Sequence, residues 1–214
     1  MDAGLIVREA TAGDLPAITA LYGLNVVTGA ASFETGPPPA AEMAARQAAV
    51  IGLGLPWLVA EIDGAFAGYG YAGAFRPRPG YRFAVEDTVY VEPARRGRGV
   101  GKALLAALID RCAAMGLRQM VAVIGDAANN AGSIALHRAC GFVPVGELKG
   151  VGWKHDDWRD VLFMQRALGP GDGTPPDAPG LALDERYRPD SEPRARPAVA
   201  LVPPVRRPRC TFRR

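Results

Sequence analysis

Residues 86–102 read Glu-Asp-Thr-Val-Tyr-Val-Glu-Pro-Ala-Arg-Arg-Gly-Arg-Gly-Val-Gly-Lys. The β-branched and aromatic run Thr88, Val89, Tyr90, Val91 predicts a strand, and Pro93 stops it. Three glycines alternate through the basic turn that follows, and an apolar helix begins after them. Such a strand–turn–helix unit leaves the first backbone N–H groups of the helix unpaired, where they and the helix dipole attract phosphate. Gly97, Gly99 and Gly101 carry no side chain to hold a phosphate chain off the backbone. Arg95, Arg96 and Arg98 add positive charge at the same place. The stretch reads as a phosphate-binding turn.

Two familiar phosphate motifs do not fit it. A P-loop needs glycine where Arg96 stands and Ser or Thr where Ala103 follows Lys102, so no hydroxyl is offered to magnesium. The dinucleotide fingerprint needs a third glycine at Lys102. Composition closes other routes. Three widely spaced cysteines (Cys112, Cys140, Cys210) and two histidines (His137, His155) build neither a disulfide framework nor a common zinc site, so no metal is expected. The first ten residues lack the order of a signal peptide. The near-apolar stretch 48–60 is interrupted by Gly52, Gly54 and Pro56 and falls short of the about 20 residues a bilayer span needs. A cytoplasmic protein with no membrane partner is expected.

Of the 25 basic and 22 acidic residues, nine arginines and six acids lie beyond residue 168, leaving 16 of each sign before it. The net charge of +3 therefore belongs to the C-terminal segment, and a neutral body argues against nucleic-acid binding. Ten of the 19 prolines also fall in residues 169–214, which predicts a domain over 1–168 followed by a Pro/Arg-rich, mostly disordered tail.

Within the body, residues 4–10 read as a strand, and Thr11 as the cap of a helix with Leu15, Ile18, Leu21, Tyr22 and Val26 on one stripe. An alanine-rich helix follows over 40–51. Strands over 57–62 and 65–74 are joined by Asp63 and Gly64, a strong hairpin signal. After a Pro-broken loop at 76–80 come a strand over 83–91, the turn, a helix over 101–115 and a buried strand over 119–124. A short helix over 133–140 and strands near 142–148 and 160–166 complete the order, the last two around a loop holding Trp153, Lys154, His155 and Trp158. Strands and helices in this order predict an α/β (mixed α+β) fold.

The hexapeptide Arg96-Gly97-Arg98-Gly99-Val100-Gly101 fits Arg/Gln-x-x-Gly-x-Gly/Ala and resembles the pyrophosphate turn of the GCN5-related N-acetyltransferases, which use acetyl-CoA. Three further stretches narrow the likeness: Glu86 to Val91, then Asn130-x-x-Ser133-x-x-Leu136-His137-x-x-x-Gly141-Phe142, then Gly152-Trp153-Lys154-His155-x-x-Trp158-x-Asp160. Together, over about residues 5–168, they resemble the phosphinothricin and methionine sulfoximine acetyltransferase branch of that family. The resemblance implies a central mixed, twisted sheet of about seven strands flanked by about four helices, acetyl-CoA as acyl donor, a small amino acid analogue as acceptor, and a homodimer.

It also implies residue roles. Val89, Tyr90 and Val91 would offer backbone groups to the pantetheine and thioester. Gly97, Arg98, Gly99, Val100, Gly101 and Lys102 would hold the diphosphate, and Asn130 (or Asn129) the pantetheine. Glu86 is expected as general base, its pKa raised by burial beside Phe83 and Val85. His137 is expected to assist at the acceptor amine. Arg76, Arg78, Tyr81 and Thr88 are expected to bind the acceptor, with arginine forks suited to a carboxylate and a phosphinate or sulfone. Lys154, His155 and Trp158 are expected either to close the pocket or to form a dimer contact. Phe142 replaces the tyrosine that often serves as general acid in the wider family. A different amino acid, an amine or a protein N-terminus remains open as acceptor, as does a CoA-binding module without turnover.

Overall fold

The computed structural model of the chain describes residues 4–183. Its elements run β1 Leu5–Glu9, α1 Leu15–Thr28, α2 Ala40–Gly52, β2 Trp57–Ile62, β3 Ala65–Ala74, β4 Ala84–Val91, α3 Val100–Ala114, β5 Gln119–Gly125, α4 Ala131–Ala139, β6 Val143–Lys154 and β7 Asp157–Ala167. The strands form one sheet in the order β1-β2-β3-β4-β5-β7-β6. Among the described strands only the β4–β5 neighbours run parallel, and the chain crosses between them through α3. This is the mixed α/β architecture expected from the element order.

Side-chain alternation along β2 explains why both faces are covered. Leu58 and Ala60 join the core under α3 with Val85, Leu104, Leu105, Leu108 and Met120. Trp57 and Val59 join a second core under α1 and α2 with Ile18, Leu21 and Tyr69. A strand buried on both faces reads as an unbroken apolar run, and Trp57–Ala60 is one. In α3 the buried positions Leu104, Leu105, Leu108, Ile109 and Cys112 recur at helical spacing. Each fully buried Leu contributes about 1.5–3 kcal/mol relative to exposure.

The Asp63–Gly64 turn forms as expected, with φ of 53° and 76° at its two residues, the backbone that a tight hairpin requires. Two expectations fail. The loop expected around 149–159 is strand: β6 and β7 pair out to Lys154↔Asp157, closed by His155 and Asp156 at φ 53° and 55°. A His-Asp pair carries no Asn-Gly or Asp-Gly signal, so the turn was invisible in sequence. The second failure is the start of the tail. Residues 169–183 have no regular structure but pack on the body, with Leu181 only 3% exposed inside the α3-side core. Residues 184–214, the rest of the expected disordered tail, lie outside the described residues, as does Cys210.

Candidate active site

Strands β4 and β5 are paired only from Ala84↔Gln119 to Glu86↔Val121. Beyond that point β4 stays bonded to β3 and β5 to β7, but the two part from each other. Backbone groups of 87–90 and 122–125 on the facing edges are therefore left without a strand partner. The wedge between them is a cavity of about 330 Å³, walled by residues of β4 and β5 and by Tyr22, Phe33, Asn130 and His137. A crevice at the carboxyl ends of parallel strands is where open α/β sheets bind ligands.

The glycine turn follows from the end of β4. Gly97 and Gly99 have φ of 75° and 82°, and Gly99 caps α3. A Cβ at either would meet nothing within 4 Å, so the left-handed backbone, not crowding, is what favours glycine there. Gly101 differs: a Cβ would lie 3.2 Å from Leu136 and 3.5 Å from Val91, so it lets α3, α4 and β4 approach. The first amide bonded within α3 is that of Ala103, to Gly99 O at 2.9 Å. The amides of Val100, Gly101 and Lys102 are left as donors at the positive end of a helix.

Glu86 is the last residue of β4 paired with β5 and stands at the apex of the wedge. Burial pushes its pKa up to about 7; the Asp87 charge adds to this and Arg76 opposes it. Its neighbour Asp87 points to the other side of the sheet and is 7% exposed. Asp87 Oδ2 lies 3.0 Å from Nε2 of His137, while Oδ1 is buried with no hydrogen-bond partner.

His137 is 5% exposed and lines the cavity, as expected of a site residue, but both ring nitrogens are occupied. Nδ1 lies 2.7 Å from Ser133 O, and Nε2 faces the Asp87 carboxylate. The Ser133 hydroxyl also lies 3.3 Å from Nδ1, so which partner donates at that nitrogen follows the tautomer of the ring. Burial works to lower its pKa, but the Asp87 hydrogen bond and charge, with the Ser133 carbonyl, override that and hold it above the usual histidine range. Any help at the acceptor amine would come from a ring already engaged with Ser133 and Asp87.

An aromatic wall that sequence reading missed stands on the α1 side. Tyr22 meets Tyr90 edge-on at 5.3 Å, Tyr90 stacks on Tyr69 at 5.4 Å, and Trp57 stacks on Tyr71 at 4.1 Å. Burial holds the Tyr71 phenol above its usual pKa, and the nearby Thr88 opposes this. The α1–α2 loop completes the wall with Ala31, Ser32 and Phe33. Its seat is the β6–β7 hairpin. Lys154, 5% exposed, donates to Ser32 O, Nε2 of His155 lies 3.2 Å from Gly29 O, and Gly152 leaves room for the Phe33 ring. Only Gly125 lets Ala31 O approach from above.

The other expected residues divide. Val89 and Tyr90 line the cavity, whereas Val91 packs beside Gly101. Asn130 lines it and donates to Gly125 O at 3.3 Å; Asn129 is exposed and turned to Asp126. Arg76 and Arg78 are exposed on the β3–β4 loop, Arg76 close enough for its charge to be felt at Glu86. Tyr81 leaves the wedge. It meets Phe75 edge-on at 5.8 Å and lines a separate hollow of about 420 Å³ with Val145, Leu148 and Phe163. Missed altogether were Asp87, Tyr22, Tyr71, Phe33 and Ser133. Two signals were available, the acid beside the expected base in Glu86-Asp87 and Ser133 inside the motif that carries Asn130 and His137.

Residues 24–142 match the acetyltransferase (GNAT) family. A phosphinothricin N-acetyltransferase of Alcaligenes faecalis is 53% identical over 171 residues, which is 80% of this chain and 86% of the relative. An L-methionine sulfoximine/L-methionine sulfone acetyltransferase of Pseudomonas paraeruginosa is 41% identical over 170 residues, 79% of this chain and 98% of the relative. The crystal structure of a phosphinothricin acetyltransferase from Sinorhizobium meliloti in complex with AcCoA superposes with a TM-score of 0.78 at 48% identity. That match covers 90% of this chain and all of the other.

Proposed function

Since this chain belongs to the acetyltransferase (GNAT) family, we propose that it moves the acetyl group of acetyl-CoA to the α-amino group of a small amino acid analogue. The acceptors are of the phosphinothricin, methionine sulfoximine or methionine sulfone type, after the activities of its relatives. The observation that carries the chemistry is a carboxyl held near pKa 7 at the apex of a strand wedge.

The open amides of Val100, Gly101 and Lys102, with Gly97, Arg98 and Gly99, take the coenzyme's diphosphate. Its pantetheine runs along the unpaired edge of β4 at Val89 and Tyr90, with Asn130 opposite. A backbone N–H of that edge faces the thioester oxygen and stabilises the charge it gains. The acceptor approaches on the Thr88 and Tyr71 side, its acid groups towards Arg76 and Arg78. An ammonium cannot attack, so one proton passes to Glu86 first. The nitrogen then bonds to the acetyl carbon as the carbon–sulfur bond breaks. The second amine proton leaves with the coenzyme thiol. Transfer is taken as direct, the bound amine itself being the nucleophile; no Cys lines the cavity, and Ser32 lies 3.2 Å from the Tyr22 hydroxyl.

We also assign a homodimer and a cytoplasmic setting. The β5–β7–β6 end of the sheet leaves Val123, Val145, Leu148, Trp153 and Trp158 exposed, an apolar surface that a second copy would cover. The described thiols, Cys112 and Cys140, are buried and unpaired, which suits a reducing compartment.

Thiol release from acetyl-CoA tests the reading, with phosphinothricin, methionine sulfoximine, methionine sulfone, polyamines and short peptides as acceptors. Turnover of the three analogues is expected. Turnover confined to peptides or polyamines overturns the acceptor class, and coenzyme binding with no turnover overturns the enzyme.

A further inference from the structure

Residues 169–183 follow β7 and were expected to be free tail, yet they are tied to the body at several points. Arg118, the residue before β5, is 6% exposed. It donates from Nη1 to Gly171 O at 3.1 Å and Thr174 Oγ1 at 3.2 Å, and from Nη2 to Pro175 O at 3.0 Å and Asp177 Oδ1 at 3.4 Å. A guanidinium so fully enclosed is stable only with its donors satisfied, and this segment supplies the acceptors. Ala178 packs at Gly116, where a Cβ would come within 2.7 Å of it.

The segment then reaches the loop before β4. Leu181 N donates to Arg82 O at 2.8 Å, and its side chain enters the main core. Gly180, at φ +74°, lies so close that a Cβ would come within 2.8 Å of Arg82 Cγ, Arg82 O and Phe83. Phe83 is fixed from the other side by Arg118 N, which donates to Phe83 O at 2.9 Å. Residue 83 is the last before β4, three positions from Glu86, and 76–82 form the loop that carries Arg76, Arg78 and Tyr81.

We propose that residues 169–183 are a strap that positions the 76–83 loop for the acceptor, with Arg118 as its anchor and Gly180 as its point of contact. Arg118 and Gly180 touch no part of the wedge and act only through Arg82 and Phe83. Holding those two residues sets where Arg76 and Arg78 stand relative to Glu86. The inference rests on the acceptor role given to those arginines above.

The test uses Gly180→Val in the full-length chain, which adds a side chain where the strap meets Arg82 and Phe83. Leu181→Ala serves as a second variant that removes the core contact without adding bulk. Expected are a KM for the acceptor raised ~10-fold and a KM for acetyl-CoA within about twofold of the parent, since a small misplacement of binding groups is felt by the ligand they bind. Amide hydrogen exchange over 76–83 should also quicken, with 126–137 unchanged. A folded Gly180→Val protein with unaltered acceptor KM overturns the proposal, as does an equal rise in both KM values. If the parent turns over none of the acceptors, the acetyltransferase reading fails on its own, and exchange over 76–83 still decides whether the strap holds the loop.

Discussion

Glu86 combines reactivity with a cost in stability. Its folded pKa of about 7 lies above the ordinary carboxylate value of 4.5, chiefly because burial disfavours the charge. Between those values the folded state holds a proton that the unfolded chain has lost, so stability falls as pH rises through that window. Glu86→Gln removes the penalty. We expect it to be more stable than the parent at pH 8 by ~1–3 kcal/mol and nearly equal at pH 4, by denaturant melts at both pH values. Its turnover should drop by ~10²–10⁴-fold with acetyl-CoA affinity retained. Parent activity should rise with pH through about 7 as the base is freed. Equal turnover in the variant would remove Glu86 from its role. Asp87 is a second residue-scale case. Its pair with His137 is raised on the histidine side, so it stabilises fully below the unfolded histidine pKa and fades as pH rises through the folded one. Asp87→Asn is therefore expected to lose ~3 kcal/mol at pH 6 and distinctly less at pH 9. A loss independent of pH would mean that packing, not the ion pair, is what Asp87 supplies.

At the scale of elements, the turn before α3 and the β6–β7 hairpin differ in how much of them could be read. The turn's requirement is local: a left-handed residue capping a helix, met by Gly99 with φ 82°. Gly99→Ala meets open space, so its penalty is the backbone alone, about 1 kcal/mol. Because the open amides of α3 would shift with it, the KM for acetyl-CoA should rise while that for the acceptor holds; steady-state kinetics against each substrate checks this. The hairpin's role is not local. Gly152, Lys154 and His155 matter because the α1–α2 loop, about 120 residues earlier, lies on them. Sequence marked these positions by resemblance without separating pocket closure from a dimer contact. Lys154 and His155 hold the loop that walls the cavity, while Trp158 stands 62% exposed.

For the whole molecule, the proposed dimer is tested at the exposed end of the sheet. Val145→Lys is a change at an exposed site and should alter monomer stability by no more than about 0.5 kcal/mol. Sedimentation should show the parent as a dimer and this variant shifted towards monomer; a monomeric parent sinks the assignment. The order of elements, the covered faces and the position of the glycine turn were legible because each follows from periodicity or backbone demand within a few residues. Glu86 was singled out only through the resemblance, since a lone glutamate in a strand carries no local mark of burial. Only the tertiary structure decided where β4 and β5 part, that Asp87 meets His137 fifty residues away, and which tyrosines wall the wedge. It also turned the first part of an expected loose tail into a packed strap. These depend on chain closure across long separations, where partner choice is set by the shape of the space left between elements rather than by any neighbouring residue.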